Sequence, residues 1–257
     1  MGVSVNYRIE GPPDGVPVLL SGSIGSDLRM WDPQVGPLTA AGYRVVRYDH
    51  RGHGGSPVPE GPYTLSDIAG DALALLDRLG IERAHWVGLS LGGMTGMWVA
   101  QHAADRLRSL TLVCTSADLS AVRWDERGRM VRAGGMRATA ESSLGRWFTP
   151  EWRTAHPELE RHYADMIAGQ PVEGYVSCCA AIGSMDIAAG LPGITAPTLV
   201  ISGAQDVGTP PAHGKLIAAA IPGARFDIVD PAAHLATVEA ADEVNALILA
   251  HLRTAHR

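Results

Sequence analysis

Ala84-His85-Trp86-Val87-Gly88-Leu89-Ser90-Leu91-Gly92-Gly93 is the stretch on which the reading of this chain turns. Residues 84–87 are a short apolar run suited to a buried strand, and residues 91–102 carry helical spacing. Between them stands Ser90, with Gly88 two residues before it and Gly92 two residues after. A sharp strand-to-helix turn strains the residue at its apex and leaves no room for side chains two positions away, so a nucleophile held there needs both glycines. The helix that follows points its N-terminus at the serine, and its unpaired N–H groups and partial positive charge favour an anionic oxygen there. The bare pattern is weak; with a strand before it and a helix after it, it marks a nucleophile elbow.

Working outward, residues 3–9 read as a strand and Gly11-Pro12-Pro13-Asp14-Gly15 as the turn after it. Residues 16–20 are a short buried strand, followed by the polar loop Ser21-Gly22-Ser23-Ile24-Gly25-Ser26. Helical spacing runs from near Pro33 to a stop at Gly42, and residues 43–48 form the next strand. After the loop Asp49-His50-Arg51-Gly52-His53-Gly54-Gly55, Thr64-Leu65-Ser66-Asp67 has the form of a capping box opening a helix to about Leu79. Residues 109–114 are a strand beyond the elbow. Strands alternating with helices, the strands apolar almost throughout, imply a mostly parallel sheet covered on both faces. The alternation stops after Ser116: residues 124–132, 139–147, 157–167 and 174–182 are helical, with no strand among them. It resumes with strands at 198–202 and 225–229 and helices at 211–220 and 239–252. The expectation is an α/β fold with a mostly parallel central sheet flanked by helices. Its core is drawn from residues 1–117 and 192–257, and a helical cap, residues 118–191, is inserted between them.

Composition narrows the function. The 257 residues carry 21 Lys and Arg against 27 Asp and Glu, a net charge of −6, and Lys215 is the sole lysine. Such a chain has no basic surface for nucleic acid. It holds no uncharged apolar run long enough to cross a membrane. The opening residues lack a signal peptide's charged and apolar regions, so the expected location is the cytoplasm. Cys114, Cys178 and Cys179 form neither a disulfide framework nor a zinc pattern, and the two adjacent ones suit buried packing in the cap.

Ser90 requires a base and an acid to orient it, and enzymes built on this elbow supply them in the order Ser, acid, His. His234 follows the last core strand and is the expected base. His213 precedes that strand, His50 and His53 brace their glycine-rich loop, and His251 and His256 lie in the C-terminal helix or tail. Asp206, just past the strand at 198–202, is the expected acid, with Asp118 its rival after the strand at 109–114. The oxyanion would be met by two backbone N–H groups, those of Leu91 after the nucleophile and of Ile24 in the 21–26 loop.

The chain is similar over nearly its whole length to the 3-oxoadipate enol-lactonases, α/β-hydrolases of aromatic-compound breakdown. The likeness is carried by residues 23–32, by Arg47-Tyr48-Asp49-His50-Arg51-Gly52-His53-Gly54, and by Gly88-Leu89-Ser90-Leu91-Gly92-Gly93-Met94. Within the cap it is carried by Val131-Arg132-Ala133-Gly134-Gly135-Met136, Arg146-Trp147-Phe148-Thr149 and residues 174–181. The resemblance implies a Ser90–Asp206–His234 triad that opens an enol-lactone through an acyl-serine, with no metal or other cofactor. The partner is a small lactone or ester bearing a carboxylate. That carboxylate needs a cation, and the cap offers Arg123, Arg127, Arg132, Arg137 and Arg146. Arg146 stands out because it adjoins Trp147, a possible pocket wall; Trp31 and Met94 are further candidates for the lining. One departure is visible: where the family carries Asn-Ser-Leu in the oxyanion loop, this chain has Gly22-Ser23-Ile24. It keeps open a different lactone or ester and, from another class, a receptor of the same fold without turnover.

Overall fold

Residues 2–255 are described by the computed structural model; Met1, His256 and Arg257 lie outside the described residues. The elements run β1 (Tyr7–Glu10), β2 (Val16–Ser21), α1 (Asp32–Ala40), β3 (Tyr43–Tyr48), α2 (Leu65–Arg78), β4 (Ala84–Leu89), α3 (Leu91–His102) and β5 (Leu107–Val113). Four helices follow, α4 (Trp124–Trp147), α5 (Pro150–Ala155), α6 (Pro157–Ala168) and α7 (Val172–Gly183). The chain closes with β6 (Thr198–Gly203), α8 (Pro211–Ala220), β7 (Arg225–Val229), α9 (Ala236–Glu239) and α10 (Ala241–Thr254). Among the described residues, no helix is long and apolar enough to cross a membrane.

The strands form one seven-stranded sheet in the order β1-β3-β2-β4-β5-β6-β7, parallel except for β1, which runs antiparallel to β3. Every residue of β4 and β6 is buried, as strands covered on both faces must be, whereas the edge strands β1 and β7 are partly exposed. From β2 the chain goes outward to β3, then returns to lay β4 on the other side of β2. Reversal of strand order opens a crevice beyond the carboxyl ends of the two strands at the switch. Here those ends carry the 22–26 loop, after β2, and Ser90, after β4. The two segments meet closely, with Gly92 N–H donating to the Gly22 carbonyl at 2.9 Å.

Several boundaries differ from the sequence expectation. The first strand starts at Tyr7 instead of residue 3, because Val3 N–H donates to Asp71 Oδ1 (2.6 Å) and Asn6 N–H to Ser56 Oγ (2.8 Å). Their backbone donors are satisfied by side chains and not by a ladder. The helices expected at 124–132 and 139–147 are one element, α4, bent at Gly135, whose φ of 75° and ψ of 174° no helix interior accommodates. Helix α5 has no counterpart in the sequence expectation; Thr149 caps it by accepting from Trp152 N–H (3.2 Å), and Pro150 occupies its first turn. The last helix, α10, starts at Ala241 instead of residue 239, because the non-helical Ala240 (φ −126°, ψ 48°) separates it from the short α9. Helix α4 packs on α6 and α7. The start of α7 sits directly on the loop after β3: a Cβ added to Gly174 would lie 2.1 Å from the Gly52 carbonyl oxygen. Cys178 and Cys179 are buried in α7, and all three cysteines are free thiols.

Candidate active site

Ser90 has φ 55° and ψ −114°, a left-handed conformation that costs energy in any residue with a side chain. Its neighbours hold it there. Ser90 N–H donates to Val113 O (3.0 Å), and its carbonyl accepts from Met94 N–H (3.0 Å) and Thr115 Oγ1 (2.7 Å). A Cβ at Gly88 would lie 2.2 Å from Gly92 O, and one at Gly92 would lie 1.9 Å from Ser21 O. Both glycines are therefore steric requirements of the turn, as its sequence spacing implies.

Asp206, past the end of β6, and His234, past the end of β7, approach each other: His234 Nδ1 is 2.8 Å from Asp206 Oδ2. An Nδ1–H donated to the carboxylate leaves Nε2 as the acceptor. Asp206 also accepts from Gly208 N–H (2.8 Å), Thr209 N–H (3.0 Å) and Thr209 Oγ1 (2.7 Å). Burial alone would raise its pKa, but the facing imidazole and these donors outweigh it and hold the carboxyl well below the usual carboxylate range. Asp118 is elsewhere: it is exposed, accepts from Ser120 N–H (2.8 Å), and makes no contact with His234. His213 turns its Nδ1 to Ser116 Oγ (2.8 Å).

The loop after β2 shows where an oxyanion could be received. Ser23 N–H points to Met30 Sδ (3.3 Å), Gly25 N–H to His53 Nε2 (3.0 Å) and Ser26 N–H to Ser23 O (3.3 Å). Across the crevice, Ser90 and Gly92 N–H are likewise committed. Among the described residues, the N–H groups of Ile24 and Leu91 donate to no protein acceptor. His50 adds a second grip on the loop, its Nε2 lying 3.0 Å from Gly22 O. Burial lowers the pKa of His50 and of His53 to about 4, so both rings are neutral near pH 7 and His53 can accept from Gly25.

Ser90, His234, Ile24, Met94, Arg146 and Trp147 all border one cavity of about 230 Å³. Trp31 does not. It is completely buried in the core near Gly22, so its expected place in the pocket lining is corrected to core packing. Arg127, another of the candidate cap arginines, borders the cavity as well. Its guanidinium lies 5.1 Å from the Trp124 ring centre and 5.6 Å from that of Tyr175, and donates to the Tyr175 hydroxyl. Arg123 and Arg132 form exposed ion pairs with Asp125 and Glu173, and Arg137 is exposed. Neither Arg127 nor Arg146 has a carboxylate partner among the described residues; Arg146 Nη2 reaches only Ser143 Oγ, at 3.2 Å. Burial, and then the charge of Arg127, lower the pKa of Arg146. A larger cavity of about 1110 Å³ lies between the 58–62 loop and helices α4 and α7. It shares Val122 and Trp124 with the first but borders none of Ser90, Asp206 and His234.

A family model for the alpha/beta hydrolase fold matches residues 16–241. The 3-oxoadipate enol-lactonase 2 of Acinetobacter baylyi is 36% identical over 238 residues, 92% of this chain and 88% of that protein. The crystal structure of the enol-lactonase from Burkholderia xenovorans LB400 superposes with a TM-score of 0.94 at 41% identity, covering 97% of this chain and 96% of that one. A thermophilic esterase from Thermogutta terrifontis has a TM-score of 0.92 at 30% identity, covering 98% and 94%.

Proposed function

The chain belongs to the alpha/beta hydrolase fold family, is related within it to the 3-oxoadipate enol-lactonases, and is a carboxylic ester hydrolase; from that premise we propose that it opens an enol-lactone bearing a carboxylate, most closely 3-oxoadipate enol-lactone, to the open-chain keto acid. We assign Ser90 as nucleophile, His234 as general base and acid, and Asp206 as the group that orients and stabilises the imidazole. Residues 118–191 act as a cap that closes the cavity over Ser90.

In this reading Ser90 Oγ attacks the ring carbonyl while His234 Nε2 takes its proton. The resulting imidazolium is held through Nδ1–H by Asp206, 2.8 Å away. The oxyanion sits on the uncommitted N–H groups of Ile24 and Leu91. Collapse breaks the ring C–O bond, and His234 returns the proton to the departing enol oxygen. The enol, still tethered through the acyl group on Ser90, becomes its ketone. Water then attacks the acyl-serine, giving one proton to His234 and then to Ser90, and the acid leaves with one water added overall.

The observation that carries the substrate class is the pair Arg127 and Arg146. Two guanidiniums without carboxylate partners border the cavity that Ser90 borders, and they suit an anionic arm on the substrate. The test is the loss of enol-lactone ultraviolet absorbance with wild type and Ser90→Ala side by side. Fast loss with wild type alone supports the reading; equal rates, or rates no faster than buffer, refute it.

A second reading, an ester or a different lactone as substrate, is favoured by Gly22. A Cβ there would lie 2.9 Å from Met30 Sδ and 3.0 Å from Ser26 Oγ, so the family's asparagine has no room without a shift of Met30. A panel of carboxylate-bearing esters against the enol-lactone separates the two by relative kcat/KM.

A further inference from the structure

We propose that Glu239 is a positioning residue that locks the end of the cap onto the histidine loop, fixing Arg146 and His234 relative to each other. The inference rests on the reading of Ser90, Asp206 and His234 given above. Glu239 closes the short helix α9, five residues after His234. Its Oε2 accepts from the backbone N–H of Ala233, the residue before His234, at 2.8 Å. Its Oε1 accepts from Thr149 N–H at 3.1 Å and from Thr149 Oγ1. Thr149 lies just past Phe148, the residue that ends α4, and caps α5. One carboxylate therefore joins Thr149, ninety residues before it in sequence, to Ala233, six residues before it.

The same two segments are joined by backbone. Leu235 N–H donates to Trp147 O at 2.9 Å, and His234 N–H reaches Arg146 O at 3.4 Å. Residues 146–149 thus run beside 233–235, and the amide of the proposed base is bonded to the carbonyl of the residue proposed to bind the substrate's carboxylate. Glu239 has no cationic partner among the described residues, so its half-buried charge is satisfied by the two N–H groups and the hydroxyl alone. A carboxylate is suited to this place because it can accept from both segments at once, whereas an amide presents only one acceptor oxygen. In Glu239→Gln, one of the two segments must face an N–H₂ group with its own N–H.

The outcome turns on catalysis and selectivity and not on stability. The measurement is kcat and KM for Glu239→Gln, Thr149→Val and Ser90→Ala on two activated esters, the p-nitrophenyl monoester of a short dicarboxylic acid and its uncharged acyl counterpart. Active-site concentration is titrated with a fluorophosphonate for every variant that retains Ser90. Displacement of a reacting group by even a fraction of an ångström is costly, so Glu239→Gln should lower kcat per titrated site about 10-fold or more on both esters. The preference for the charged ester should fall as well, by about 5-fold, as Arg146 loses its register with Ser90. Thr149→Val, which removes the hydroxyl donor to Glu239 together with the acceptor that caps Trp152 N–H in α5, should move both quantities the same way by about 3-fold, and carries the test alone if the glutamine variant does not fold. Full kcat per titrated site with unchanged preference overturns the inference, and so does a fall in yield or Tm alone. If Ser90→Ala keeps activity, the underlying reading fails first; if it is inert while the clamp variants behave as wild type, only the role of Glu239 is refuted.

Discussion

Replacing Arg146 with methionine should make the protein worse at its reaction and better folded, and the two effects have one cause. Arg146 is half-buried, reaches only Ser143 Oγ, and borders the same cavity as a second arginine without a carboxylate partner, Arg127. In the empty enzyme its charge is partly desolvated and repelled, which burial and Arg127 together register as a lowered pKa. Methionine keeps most of the aliphatic stem and removes the charge. Relief of a like-charge contact of this exposure is worth about 0.5–1 kcal/mol, and 1 kcal/mol moves the Tm of a chain this size by about 2–4 °C. With substrate bound the sign reverses. A charge-assisted hydrogen bond to the substrate carboxylate contributes about 1.5–3 kcal/mol, so kcat/KM on a carboxylate-bearing ester should fall about 10- to 150-fold. An uncharged ester of equal length should be affected less than about 3-fold, since no charged bond is lost. The assay is kcat/KM for both esters and a thermal melt without ligand. Equal losses on the two esters, or a melt lowered by several degrees, would refute the idea that Arg146 is an anion site held ready at the expense of stability.

Two further outcomes follow from groups around the crevice. His50 and His53 have pKa values near 4 in the folded protein against about 6.5 unfolded, so the unfolded chain binds more protons between those limits and stability falls as pH drops through that window. The loss at pH 4.5 should approach about 2–3 kcal/mol for each ring, read as a falling urea midpoint between pH 7 and 4.5; a flat midpoint would contradict it. Gly92→Ala places a Cβ 1.9 Å from Ser21 O, which neither backbone can yield without parting the elbow from the oxyanion loop. Activity should drop at least about 100-fold even in correctly folded material, and near-normal turnover would show that the loops tolerate separation.

How far the fold was legible follows from how local its signals are. The termini of α3, α8, β3 and β7 fall where the sequence places them, because apolar runs, glycines and prolines mark those ends within a few residues. The capping box at Thr64 and Asp67 forms as read, with Asp67 N–H donating to Thr64 Oγ1 at 3.1 Å. The first strand differs from its sequence reading where the backbone's partners are remote. Nothing near Val3 announces that its N–H will go to Asp71, sixty-eight residues on. Helix α5 spans only the six residues Pro150–Ala155, too few for periodicity to register.

The candidate site divides along the same line. Ser90, Asp206 and His234 each follow the carboxyl end of a strand, so strand order alone brings them to one rim of the sheet. Ile24 and Leu91 are legible for the same reason, as the loop after β2 and the first turn after β4 meet at the switch point. The substrate side is different. Arg127 and Arg146 are nineteen residues apart in α4, which on an unbroken helix is about 28 Å along the axis and about 100° around it. Two such side chains could not border one cavity of about 230 Å³. They do so because α4 is broken at Gly135, at φ 75°, so the two arms run in different directions. Sequence spacing counts the arginines but cannot say which pair converges, since that depends on the angle of one bend and on what the two arms pack against. The Glu239 clamp was invisible for a related reason: Thr149, Ala233 and Glu239 carry no shared pattern, and only the docking of the cap on the histidine loop makes them neighbours. The chemistry of the proposed reaction is thus encoded at strand ends, where local rules hold, and its selectivity at cap contacts, where they do not.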